Sequence, residues 1–390
     1  MSRRPIALSP DLLRLQNEGY NLEIQDGLLL VREVPFVDAR CSVRQGVLIS
    51  KLKLSGDITE KPDDHVCYWS GEHPCRANGS KITAIEHSSP PQDLAPGVRA
   101  DFMFSAKADY RDYHHKMTTY IGRISGEAAK IDPNVTARTF SVIPDGEENC
   151  VFKYIDTATS RAGIGAVNAK LSGLRVGIVG LGGTGSYILD LVAKTSVAEI
   201  HIFDGDVFSQ HNAFRSPGAP GIEELRTKPQ KVVWFADAYS NMRRGIVSHD
   251  IFLDATNAAI LDNLDFVFIC MDVGLAKQAV IDRLVGNGTP FIDVGMGVML
   301  DDGQLSGIVR TTTSTAHARE RAALHISFAE GGVGANEYSS NIQIAELNAL
   351  NAAIAVIRWK KLFEVYRDSR NDVYAGYSIA SGEMVLEGVA

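Results

Sequence analysis

The stretch that most constrains this chain is residues 175–206, RVGIVGLGGTGSYILDLVAKTSVAEIHIFDGD. Its first five residues form a short, β-branched apolar run of the kind that fills a buried parallel strand. Gly180, Gly182, Gly183 and Gly185 follow at once, and so few Cβ atoms let the backbone turn sharply and approach a ligand. Ile188, Leu189, Leu191 and Val192 then recur at helical spacing. The turn therefore opens a helix, whose amide end attracts phosphate. A second apolar run, 199–203, ends at Asp204, about 20 residues past the turn, where a carboxylate can bond a ribose hydroxyl. Strand, glycine turn, helix, strand and acid predict a nucleotide site in a Rossmann-like, doubly wound α/β sheet.

Composition narrows the alternatives. At 390 residues and 45% hydrophobic content, the chain can bury two sizeable cores. A formal net charge of -8 offers no basic field for nucleic acid or an anionic membrane. No apolar run reaches the roughly 18 residues of a membrane span, and the opening MSRRPIALSPDLLRLQ lacks a sustained apolar core. The expectation is a cytoplasmic protein that binds neither nucleic acid nor membrane. Cys41, Cys67, Cys75, Cys150 and Cys270 are odd in number and scattered, as reduced thiols are.

Residues 1–150 read as a smaller N-terminal α+β module, mostly β, with no role legible in its motifs. A short helix is expected over 8–18, opening at Ser9-Pro10, then a hairpin over 21–34 about Asp26-Gly27. Strands follow at 46–54 and 65–70, a proline- and glycine-rich loop at 72–101, and a helix at 113–129. His65, Cys67, His73 and Cys75 are close in sequence, but their spacing fits no zinc pattern with a good record, so packing is favoured over metal. Residues 109–115, DYRDYHH, read as the solvated start of a helix. The join falls over 140–156, with a turn at Pro144-Asp145-Gly146.

Beyond Asp204 the pattern becomes more specific. Asp206, Asn212 and Arg215 follow closely, and a fixed guanidinium there suits a site where charge develops on an α-phosphate and on departing pyrophosphate. Lys231 begins an expected helix and suits phosphate as a point charge, with Lys228 as its rival. The run 265–270 leads to Asp272. An acid at the carboxyl end of a parallel strand faces the ligand crevice and is placed for magnesium.

These elements in this order resemble the superfamily of ThiF, MoeB and the ubiquitin-activating enzymes over roughly residues 157–365. Its G-x-G-G-x-G turn corresponds to 180–185, its D-x-D to Asp204 and Asp206, and its S-N-x-x-R-like element to Asn212 and Arg215. Its helix-opening lysine corresponds to Lys231, and its D-x-x-x-x-C-x-D strand end to 265–272. The resemblance implies an adenylation domain over 157–390 that uses ATP and Mg2+ to activate a carboxylate, releasing pyrophosphate. The expected partner is a small ubiquitin-like or sulfur-carrier protein with a C-terminal glycine, followed by a downstream conjugating or acceptor protein. By the same matching Asp204 holds the ribose, Asn212, Arg215 and Lys231 the phosphates, and Asp272 the metal. Arg161 is the candidate arginine reaching into a partner subunit, which implies a homodimer.

Two departures stand out. No C-x-x-C pair follows Asp272, and no cysteine follows Cys270, so neither the family's structural zinc nor a thioester cysteine is expected on this domain. The remaining expectations are a strand at 290–294 followed by Gly295-Met296-Gly297, a strand at 305–312, and surface loops at 311–315 and 330–336. A helix follows over 340–365, with its apolar face on Ile342, Ile344, Leu347, Leu350, Ile354 and Ile357, and then a hairpin over 374–386. Two other readings remain open. A nicotinamide-dependent oxidoreductase uses the same turn and acid but leaves Arg215, Lys231 and Asp272 without a task. A catalytically silent nucleotide-binding scaffold is the other.

Overall fold

The computed structural model describes residues 4–87, 91–141, 150–154, 156–162, 164–272, 274–328 and 342–388. The chain divides into two compact units, Met1–Cys150 with Tyr154–Gly163, and Val151–Lys153 with Ile164–Ala390. The expected turn at 144–146 and loop at 330–336 lie outside the described residues.

The first unit begins with α1 (Arg4–Leu8) and α2 (Pro10–Asn17), the latter opened by Ser9 and Pro10 as expected. Then come β1 (Asn21–Gln25), β2 (Leu28–Val37), β3 (Val43–Lys51), β4 (Leu54–Ser55), β5 (Ile58–Thr59) and β6 (Val66–Ser70). The expected loop at 72–101 carries β7 (Glu86–His87), β8 (Gln92–Ala95) and β9 (Val98–Ala100), followed by β10 (Phe102–Ser105), α3 (Tyr113–Ile131) and α4 (Thr157–Ala162). Among the described residues an antiparallel sheet runs β1-β2-β3-β6-β10-β7. Asp26 and Gly27 both take positive φ, 48° and 74°, which a two-residue hairpin turn requires. Helix α3 presses Met117, Tyr120 and Ile124 into a core with Leu29, Val31, Trp69 and Phe104.

Asp112 caps α3 by accepting the His115 amide at 2.7 Å, which accounts for the DYRDYHH stretch. The His73 ring nitrogen Nδ1 donates to the Pro74 carbonyl at 2.8 Å and the ring packs edge-on against Phe102. Burial pushes the Cys67 thiol up to about 12. Among the described residues no group of His, Cys, Asp and Glu is arranged to hold a metal ion.

The second unit contains α5 (Gly165–Asn168), β11 (Arg175–Val179), α6 (Gly183–Ala193), β12 (Glu199–Phe203), α7 (Gln210–Ala213) and α8 (Ile222–Thr227). They are followed by α9 (Lys231–Ser240), β13 (Ile246–His249), β14 (Phe266–Ile269), α10 (Leu275–Asn287), β15 (Phe291–Asp301) and β16 (Gln304–Ser314). The last elements are α11 (Arg319–Ala323), α12 (Ala345–Leu362), β17 (Asp372–Ser378) and β18 (Met384–Gly388). The sheet order is β13-β12-β11-β14-β15-β16-β17-β18, parallel through β15 and antiparallel beyond it. One face packs Val176, Ile178, Phe266 and Phe268 against Ile188 and Leu189 of α6 and Trp359 of α12. The other packs Val179, Val267 and Ile269 against Val280, Ile281 and Leu284 of α10. This unit is the expected doubly wound sheet and the first unit is mostly β, and among the described residues no helix is long and apolar enough to cross a membrane.

Three local expectations are corrected. Strand β15 runs on through Gly295 and Gly297, because β16 pairs with it along its whole length, from Phe291↔Ser314 to Asp301↔Gln304. Residues 311–314 are not a surface loop: they close β16 between β15 and β17, and Thr311 and Thr312 are fully buried, where β-branched side chains pack well. Helix α12 buries Asn348, Asn351, Ala352, Ala355 and Trp359, while Ile357 of the expected apolar face is 46% exposed. The small alanines bring α12 close to the sheet and α6, and this sets its rotation in place of total hydrophobicity.

Candidate active site

The glycine turn sits at the carboxyl ends of β11 and β14, where the sheet order reverses direction and an open α/β sheet forms its ligand crevice. Gly180 has φ +92°, and a Cβ there would stand 2.6 Å from the Cys270 carbonyl oxygen. A Cβ on Gly185 would collide with the Gly180 carbonyl, and one on Gly183 with the Asn348 amide. Gly182, the N-cap of α6, differs: among the described residues nothing lies within 4 Å of where its Cβ would be. Three of the predicted glycines are therefore required by packing, and the fourth leaves open space at the amide end of an 11-residue helix.

Asp204, at the end of β12, is buried and braces this turn. Its carboxylate accepts the Leu181 amide at 2.7 Å, the Asp206 amide at 2.9 Å and Lys231 Nζ at 3.2 and 3.3 Å. Lys231 opens α9 as predicted, is only 5% exposed, and also reaches Asp206 at 2.8 Å. Lys228, its rival, is exposed and closes α8 with φ 47°.

Asn212 and Arg215 bring the donors. Asn212 is 2% exposed, and its Oδ1 accepts the Ser209 amide at 2.9 Å, leaving its Nδ2 buried without a partner among the described residues. Arg215 Nε is likewise buried and unpartnered. Burial lowers the Arg215 pKa from the usual arginine value, while the Asp272 and Asp206 carboxylates oppose that shift. The guanidinium thus lies in the fields of both acids. His211 shares this environment and is held below the ordinary histidine range by burial, then by Arg215 and Lys231. Two buried donors without acceptors, beside an open helix end, form a set that an anion would satisfy. Asp272 itself is exposed, and a single carboxylate is enough for Mg2+ when phosphates supply further oxygens. The side chain of Arg161, on α4, lies outside the described residues.

The sequence pattern passed over several neighbours. Asn348 lies among the apolar residues of its helix, yet its amide bonds both Thr184 and Arg215. Lys277, on α10, and Asp293, on β15, are 1% and 0% exposed and pair at 2.6 Å, with Arg310 at 3.0 Å on the other carboxylate oxygen. Removing one member of a buried charge cluster leaves the rest under-compensated, and without Lys277 the Asp293 carboxylate keeps only Arg310. Lys277→Met is expected to lower unfolding free energy by about 3 kcal/mol, read as a lower denaturant midpoint; an unchanged midpoint would mean that the pair is energetically idle.

Two family profiles match along the chain. The ThiF family profile matches residues 158–362, and a domain of unknown function (DUF6791) matches residues 10–157. Among solved structures, PaaA is similar at 15% identity and TM-score 0.44, over 58% of this chain and 76% of that one. Escherichia coli MccB is similar at 16% identity and TM-score 0.44, over 57% of this chain and just under two thirds, 64%, of that one. MccB with ATP matches at 16% identity and TM-score 0.42, over 57% of this chain and 65% of that one. No curated protein sequence matches the chain.

Proposed function

The chain belongs to the ThiF family, and from that premise we propose that it adenylates the C-terminal carboxylate of a small ubiquitin-like or sulfur-carrier protein ending in glycine. What supports this reading is the pair of buried donors without a partner among the described residues, Asn212 Nδ2 and Arg215 Nε, with Arg215 in the fields of Asp206 and Asp272 and Lys231 bonded to Asp204, the acid that braces the glycine turn. An oxidoreductase has no task for such a set.

In the proposed step a carboxylate oxygen bonds to the α-phosphorus of ATP. The bond from that phosphorus to the oxygen bridging to the β-phosphorus breaks, and pyrophosphate leaves with the electron pair. Asn212 and Arg215 would stabilise the charge that grows on the phosphates, a contribution strongest in a water-poor site. Asp204 and Asp206 would hold the ribose hydroxyls. Lys231 Nζ bridges both acids, so an incoming ribose competes for its partners, and release would turn the ammonium toward the phosphates. Asp272 would hold Mg2+, which would neutralise phosphate charge.

Cys270 is a poor acceptor for the activated acyl group: its thiol pKa is raised by burial and by the nearby Asp293. The acyl group would then pass directly to its acceptor or to a thiol elsewhere. Cys270→Ala is accordingly expected to leave the first half-reaction intact, measured as radiolabelled pyrophosphate entering ATP; loss of exchange without loss of fold would give the thiol a role. In keeping with the family, Arg161 would serve a neighbouring subunit in a homodimer, and residues 1–150 would dock the carrier or acceptor.

The test is calorimetric titration of the full chain with ATP and with NAD, each with and without Mg2+. Magnesium-dependent ATP binding without NAD binding supports the proposal. NAD binding without ATP binding would replace it with the oxidoreductase reading.

A further inference from the structure

We propose that Asn348 is a positioning residue, the tie that holds the Arg215 segment against the phosphate-binding turn. Its kinetic consequence rests on the adenylation reading above; the tie itself rests on geometry. Asn348 is 1% exposed and comes from α12, far along the chain from both segments it joins. Its Oδ1 accepts the Thr184 hydroxyl at 2.9 Å, and its Nδ2 donates to the Arg215 carbonyl at 3.3 Å. Its amide fills the space beside Gly183 that a Cβ would occupy. A side-chain amide offers an acceptor and donors on one rigid plane, so a single residue sets the spacing between the open end of α6 and the backbone that carries the guanidinium. No apolar residue at 348 could make either bond.

This spacing matters because Arg215 contributes through where it stands. Its Nε has no partner among the described residues, so none of their hydrogen bonds at that atom steers the side chain, and its aim depends on the backbone that Asn348 holds. Displacing a group that acts on the transition state by about 1 Å can cost on the order of 10²-fold in rate. Ground-state binding of ATP by the turn should suffer much less.

The experiment compares wild type, Asn348→Ala, Thr184→Val and the double variant. Two readouts are used on the full chain: amide hydrogen exchange with mass spectrometry, and the kcat and KM of ATP–pyrophosphate exchange. In Asn348→Ala, amide exchange should rise in both 181–186 and 209–216 while β11 and β12 keep their protection. Its kcat should fall about 10²-fold with the KM for ATP little changed. Thr184→Val breaks one arm and should cost less, and the double variant should be no worse than Asn348→Ala alone. Wild-type protection in both segments of Asn348→Ala, or losses that multiply in the double variant, would overturn the tie. Should Asn348→Ala fail to fold, Thr184→Val decides: raised exchange in 181–186 and a lower kcat uphold the tie, wild-type values refute it. Should wild type exchange no pyrophosphate with any carboxylate, the adenylation reading fails, while the amide-exchange comparison still settles whether Asn348 joins the two segments.

Discussion

Arg215→Ala is expected to lower kcat for ATP–pyrophosphate exchange by about 10³-fold while the protein keeps its fold. The size follows from what the guanidinium is placed to do: fixed donors aimed at charge that develops on transferring phosphates contribute on the order of 10²- to 10⁵-fold. The preserved fold follows from what it does not do. Among the described residues its Nε has no partner, so the substitution breaks none of their hydrogen bonds at that atom, and the cost to stability should stay within about 1 kcal/mol. Arg215→Lys should recover only part of the rate, because an ammonium keeps the charge but loses the planar fork. Exchange kinetics alongside a melting curve separate the cases. A variant that melts like wild type and exchanges at its rate would remove Arg215 from the mechanism.

The second large effect is a contrast between two neighbouring glycines. Gly185→Ala puts a methyl into the Gly180 carbonyl, a backbone group that cannot swing away. The turn must then shift, at a cost of about 3 kcal/mol and a melting-temperature fall of roughly 6–12 °C for a unit of this size. Gly182→Ala meets nothing within 4 Å among the described residues, so its melting temperature should be close to that of wild type. ATP affinity should nevertheless drop about tenfold or more, because the methyl would occupy the approach to the helix amides. Paired thermal melts and ATP titrations read both effects. A destabilised Gly182→Ala, or one with normal ATP affinity, would show that the open space beside Gly182 is not where phosphate sits.

Much of this site was legible because it is local. Gly180 through Gly185, Asp204 and Lys231 each stand at the end of a strand or the start of a helix, and sequence periodicity marks those junctions. Once β11 and β12 pair in parallel, from Arg175↔Glu199 to Val179↔Phe203, the turn and Asp204 must meet. Asn348 was not legible, since its partners are set by the rotation of a distant helix, and an asparagine among leucines and isoleucines carries no local signal. The same cause misplaced the buried face of α12. Thr311, Thr312 and Thr313 read as a loop because hydroxyls are common in loops, yet their β-branching suits the centre of a sheet once β17 covers β16. Lys277 and Asp293 escaped notice because two charges far apart in sequence reveal a buried pair only in three dimensions. In residues 1–150 the hairpin about Asp26-Gly27 and helix α3 were readable from turn chemistry and periodicity, whereas β7, β8 and β9 are too short to leave a pattern.

The most direct measurement is the entry of radiolabelled pyrophosphate into ATP, catalysed by the full chain in the presence of small β-grasp proteins that end in glycine. Label should enter ATP only when Mg2+ and a free C-terminal carboxylate are both supplied, and amidating that carboxylate should stop it. ATP binding with no label transfer across such carriers, or transfer that persists after amidation, would contradict carboxylate adenylation at this site.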